Sequence, residues 1–169
     1  LENPEHLNAM LKANPERFEP YLALAVHLGK RGDMDGAISA FEKADELSEK
    51  APLGVRRQYE YESIYSLCLA VAGFQHIVKG DGGVNALRLF QRGIGMNRPF
   101  LAENGHLPNI YLCMAGIYLD LRRFDRAEEC AKEGLVACGA AQRFSSDKKL
   151  FEQVLQRVSR LKGKGNSPK

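Results

Sequence analysis

Arg31–Ala44 reads RGDMDGAISAFEKA, and ninety residues further on Arg122–Leu135 reads RRFDRAEECAKEGL. Each stretch opens on a charged turn and then reaches an alanine, Ala37 in one and Ala127 in the other. Each returns to a small residue seven places later, at Ala44 and Gly134. The match extends backwards. At sixteen, thirteen, twelve and nine residues before Ala37 stand Tyr21, Leu24, Ala25 and Leu28; the same offsets before Ala127 hold Tyr111, Met114, Ala115 and Tyr118. The order is aromatic, large, small, large, at helical spacing, so all four share one helix face. Forward of the alanines lie Phe41 and Ala44 in one copy, Ala131 and Gly134 in the other. A small residue on each of two antiparallel helices lets the backbones approach, and large neighbours interlock around that contact. Each stretch therefore reads as the second helix of a hairpin.

A third copy lies between them. In Lys79–Gly93, KGDGGVNALRLFQRG, Ala86, Phe90 and Gly93 repeat the same set. Its first helix fits one residue further back, with Leu69, Ala72, Gly73 and His76 on the packing face and one extra residue in the GDGG turn. A half copy precedes the first: LNAMLKANPERF carries an apolar stripe of Leu7, Met10 and Leu11, then Asn14-Pro15, where the helix must stop. The half copy, and a start at Leu1 without methionine, predict that the chain is cut or processed from a longer array. At the other end Ser145-Ser146-Asp147 is suited to starting a helix. Leu150, Phe151, Val154, Leu155, Val158 and Leu161 follow as one apolar stripe. After it GKGNSPK has the composition of a flexible tail.

These helix–turn–helix units resemble tetratricopeptide repeats, in about three copies covering most of Pro15 to Gly139. The resemblance implies an all-α solenoid of helical hairpins, wound as a right-handed superhelix and closed by a C-terminal capping helix. The implied single domain spans 1–162: a half repeat at 4–14, repeats at about 18–51, 56–98 and 108–139, and a capping helix at 146–162. A flexible basic tail, 163–169, follows. The chain departs from the family in spacing: Ala37 to Ala86 is 49 residues and Ala86 to Ala127 is 41, against the family's roughly 34. The departures are KAPLGVRRQYEYES and MNRPFLAENGHLPN, and no copy has the family's usual tryptophan.

The first helix of each pair lines the concave side of such an array. The resemblance places Leu22, Val26 and Gly29 there from the first copy, Ala70 and Phe74 from the second, and Leu112, Gly116 and Leu119 from the third. Asp120 and Arg122 fall near the rim. Family members that grip a terminal carboxylate carry lysine and asparagine on this surface. Here the residues are leucine, valine and glycine, so the expected ligand is an apolar or amphipathic protein segment. Burying about three such side chains contributes roughly 5 kcal/mol before ordering costs. The competing expectation is that the chain's own C-terminal helix covers them. Tyr61 and Tyr65 share a face at i, i+4, with Tyr59 elsewhere; packing of an inserted segment accounts for them better than an interface.

Motifs for chemistry are missing. His6, His27, His76 and His106 lie far apart, and no H-E-x-x-H occurs. KGDGGVNA lacks the lysine and hydroxyl of a phosphate-binding loop and reads as a turn. GDMDG lacks the later acids of a calcium loop. Cys68, Cys113, Cys130 and Cys138 form no C-x-x-C pair and read as reduced thiols rather than zinc ligands. Net charge is +3, and −2 without the thirteen residues from Arg157 onward, which hold five basic residues and no acid. That end reads as solvated, with nucleic-acid binding the lesser alternative. No stretch holds the roughly 20 apolar residues of a membrane span, and no signal peptide is evident. The expected function is a non-enzymatic, cytoplasmic protein–protein scaffold or adaptor without a cofactor. The alternatives are a secretion or assembly chaperone for a hydrophobic client, or a self-associating structural module.

Overall fold

A computed structural model describes residues 4–50, 61–80 and 83–165, and the backbone alone at 4, 164 and 165. The described residues hold eight α-helices and no strand. They are α1 (Pro4–Ala13), α2 (Glu19–Lys30), α3 (Met34–Ser48), α4 (Glu62–Lys79), α5 (Gly83–Glu103), α6 (Leu107–Asp120), α7 (Phe124–Cys138) and α8 (Ser145–Gly165). A 3-10 turn, Gln142–Phe144, leads into α8. Contact follows chain order from α1 to α7, and α8 lies on both α7 and α6.

The two stretches that match in sequence also match in backbone. In the α2–α3 turn the Asp33 amide donates to the Leu28 carbonyl at 3.0 Å and the Gly32 amide to Gly29 at 3.1 Å. Ninety positions on, the Arg123 amide donates to Tyr118 at 2.8 Å and the Arg122 amide to Leu119 at 3.0 Å. The second turn residue is left-handed in both, with φ +83° at Gly32 and +54° at Arg122. The starts of the following helices differ. Asp33 caps α3, accepting from the Gly36 amide at 2.9 Å, and a side chain at 36 would collide with that carboxylate. Arg123 has no acceptor on its side chain, and α7 begins without a side-chain cap.

Small residues set the hairpin spacing. A methyl group at Gly73 would stand 2.6 Å from the Phe90 ring, and one at Gly93 would stand 3.1 Å from the Ser66 carbonyl oxygen. The α4 and α5 backbones thus approach directly, with Leu69, Ala72 and Gly73 buried as the pattern predicts and His76 half-buried. Gly134 of α7 faces the Phe151 ring of α8 in the same way.

The core is two clusters. The first gathers Phe18, Ala25, Phe41 and Ala44 with Tyr65, Leu69 and Leu89. The second gathers Ala86, Phe90, Ile110 and Ala115 with Phe151 and Val158. The α4–α5 hairpin supplies residues to both. Tyr61 and Tyr65 are buried, stacked on Phe41 with ring centroids 6.0 and 4.5 Å away; Tyr59 lies outside the described residues.

Some bounds differ from those expected. The described part of the second hairpin starts at Glu62, the expected start at about 56 lying outside the described residues, and it runs to Glu103 rather than 98. Asn97 leaves the helical region at φ −153°, ψ +74°. Its Oδ1 then accepts from the Phe100 amide at 3.1 Å, so it caps a restarted helix over 98–103. Pro99 fits that first turn, where its missing N–H is not needed. The last helix spans 145–165 rather than 146–162. Within it Leu150 is 41% exposed, whereas Phe151 and Val158 are buried. One residue is about 100° of helix, enough to carry Leu150 off the stripe. Residues 51–60, most of the first irregular segment, and 166–169 lie outside the described residues.

Candidate functional site

α2, α4 and α6 carry the eight expected groove positions. Leu22 and Ala70 do not line an open surface: they are 6% and 1% exposed. Leu22 belongs to the first cluster. Ala70 faces α5, because Gly93 brings that helix against the α4 backbone; a methyl at 93 would be 3.6 Å from the Ala70 nitrogen. Gly29 faces α4 instead of solvent, with a Cβ there 3.1 Å from the Cys68 sulfur. Val26 is half-buried against the first cluster. Phe74, Leu112 and Leu119 are half-buried against the second, Phe74 meeting Phe90 edge-on at 5.0 Å. Gly116 is half-exposed, and nothing lies within 4 Å of a Cβ placed there. Phe74, Leu112 and Leu119 thus gather on one cluster, and Val26 sits on the other.

Two clefts lie at the turn ends of the hairpins. One, of about 270 Å³, is largely apolar and lined by Ile77, Val84, Ile117 and Leu121, with Asp120 at its edge. Val84 is 65% exposed and Leu121 45%. The other is an open cleft of about 860 Å³ lined by Arg122, Arg123, Phe124, Asp125, Arg126, Glu129 and Lys162. Here Arg126 pairs with Glu129 at 2.8 Å, and Lys162 pairs with Asp125 and Glu128 at 2.5 and 2.6 Å. Hydrogen bonds from Lys132, and then from Lys162, hold the Glu128 carboxyl down at about 2. Among the described residues, Arg122 and Arg123 make no ion pair.

Polar bridges tie the hairpins together beside a third and a fourth cleft. Arg92 donates to the Tyr65 hydroxyl at 2.8 Å and pairs with Glu42 at 2.9 Å. Gln91 donates to the Tyr118 hydroxyl at 3.0 Å, and Arg98 pairs with Glu133 at 2.9 Å. Burial pushes the Tyr65 phenol up to about 12 despite Arg92, and burial first, then Glu129, pushes the Cys130 thiol up to about 11. All four cysteines are free.

Among the described residues no three of His, Cys, Asp and Glu gather as metal ligands, and every buried side-chain nitrogen or oxygen has a hydrogen-bond partner. No described helix is long and apolar enough to cross a membrane. The described helix faces carry ion pairs and half-buried apolar side chains. Arg123, Lys162 and the Ile77–Val84–Leu121 cleft were not legible as neighbours, because their proximity depends on where α6, α7 and α8 end. One signal was present: arginines stand where the first copy has Gly32 and Asp33. No protein-family model, curated protein or solved structure matches the chain.

Proposed function

We propose that this chain is a helical-repeat scaffold of the tetratricopeptide kind, which binds an apolar or amphipathic segment of another protein and performs no chemistry. The repeat reading is supported by the two turns that share one hydrogen-bond scheme ninety residues apart, and by helices that touch in chain order. The binding reading is carried by α6. Leu112 and Leu119 are half-buried beside Gly116, which leaves an open notch between them. A notch with apolar walls suits the ridge of a partner helix. Phe74 on α4 packs on the same cluster as Leu112 and Leu119, and Val26 on α2 is half-buried against the other. The free thiols suit a reducing compartment such as the cytoplasm.

Gly116→Glu tests this without disturbing the fold. The new side chain enters open space, and replacing glycine within a helix stabilises it by about 0.5–1 kcal/mol. Peptides displayed on phage would be selected on the wild type and then presented to the variant. Expected is enrichment of sequences with apolar residues at i, i+3 and i+4, whose binding falls about tenfold or more on Gly116→Glu. Absence of enrichment, or equal binding by both proteins, would sink the proposal.

A further inference from the structure

We infer that the arginine cleft where α6 turns into α7 binds an acidic protein segment, independently of the α6 notch. The cleft holds about 860 Å³ and presents Arg122, Arg123, Arg126 and Lys162 around the half-buried Phe124. Arg126 and Lys162 already have carboxylate partners within the chain. Among the described residues Arg122 and Arg123 have none, so two guanidinium groups stand ready for bidentate carboxylate contacts. Comparison with the first hairpin sharpens the point. The same turn is made there by glycine and aspartate, with an easy left-handed residue and a capped helix. Here both places hold arginine, although the left-handed conformation and the missing cap each favour other residues. Neither arginine helps the turn form; both supply charge to the cleft.

The chemistry of the occupant follows from the acids that remain. Asp125 and Glu129 sit among the cations. A nucleic-acid strand brings evenly spaced phosphates and would set some of them against these carboxylates. A flat anionic membrane cannot enter a concave cleft. A peptide places its carboxylates at separate points and turns its backbone or an apolar side chain toward Phe124.

The probe is a fluorescently labelled peptide whose glutamates are separated by neutral and apolar residues, read by anisotropy against the full chain. Expected is binding that weakens as salt rises. The double variant Arg122→Gly/Arg123→Asp should lose about tenfold in affinity, while its thermal midpoint rises by a few degrees because the turn and cap are restored. Arg122→Gly alone, which adds no negative charge, should lose less. Binding loss together with a raised midpoint separates loss of the site from loss of the fold. The inference is overturned if wild type fails to bind the peptide, if the double variant binds as well as wild type, or if oligothymidine or phosphatidylserine vesicles bind more tightly than the peptide.

Discussion

At Gly73 an added methyl group would lie 2.6 Å from a Phe90 ring that is itself wholly buried. Alanine favours a helix over glycine by about 1 kcal/mol, but overpacking a filled core costs about 1–3 kcal/mol. Gly73→Ala is expected to destabilise by about 1 kcal/mol, seen as a lower urea midpoint at unchanged slope. A midpoint that holds or rises would mean that Phe90 can yield. Gly116→Glu, in open space, should move the midpoint the other way. The contrast was half legible in the sequence. Gly73 belongs to a recurring small-residue position, shared with Ala25 and Ala115, and stands opposite Phe90. Gly116 belongs to no such pair, and nothing in its neighbours along the chain says that the space beside it is empty. Arg122 hides its conformation too: the left-handed turn announces itself at Gly32, but an arginine carries no such mark.

The last helix is held by two apolar anchors and an ionic one. Phe151 is wholly buried against Gly134, so Phe151→Ala should destabilise by about 3–5 kcal/mol in denaturant unfolding. The ionic anchor depends on pH. The Glu128 carboxyl titrates near about 2 in the fold, against about 4.3 in an unfolded chain. A depressed acid stabilises the fold above its unfolded value, and that share disappears as pH falls through the folded value. Lys162, raised by its bonds to Asp125 and then Glu128, contributes fully below its ordinary range and loses its share as pH rises beyond it. Amide exchange near Lys162 should therefore quicken between about pH 4.5 and 2, relative to α6 and after correction for intrinsic rates. Glu128→Gln should flatten that response; a response that persists in the variant would assign it to other carboxylates. The periodicity foretold Phe151 and Val158. It placed Leu150 with them because a broad apolar stripe admits a neighbour about 100° away, whereas the folded helix leaves Leu150 exposed.

Across the whole molecule, two clusters share one hairpin. Leu89 lies on α5 yet serves the first cluster, so Leu89→Ala, at about 2–5 kcal/mol, should speed hydrogen exchange in α2 and α3 before α7. Equal acceleration in all three would mean one cooperative unit. The order of helices was readable from internal repetition, but the exposure of the groove residues was not. Leu22 and Ala70 occupy first-helix positions that the resemblance to tetratricopeptide repeats assigns to the concave side, and only the closeness of neighbouring helices takes them inside. Contact in chain order also has a mechanical consequence. α2–α3 and α6–α7 each flank the middle of the array, while α4–α5 is gripped from both sides, through Arg92 to Glu42 and through Gln91 to Tyr118. Under tension applied at the chain ends, α8 and then the outer hairpins are expected to peel before the middle one, so that the molecule would lengthen in steps, as an extensible link whose central turn is the last to let go.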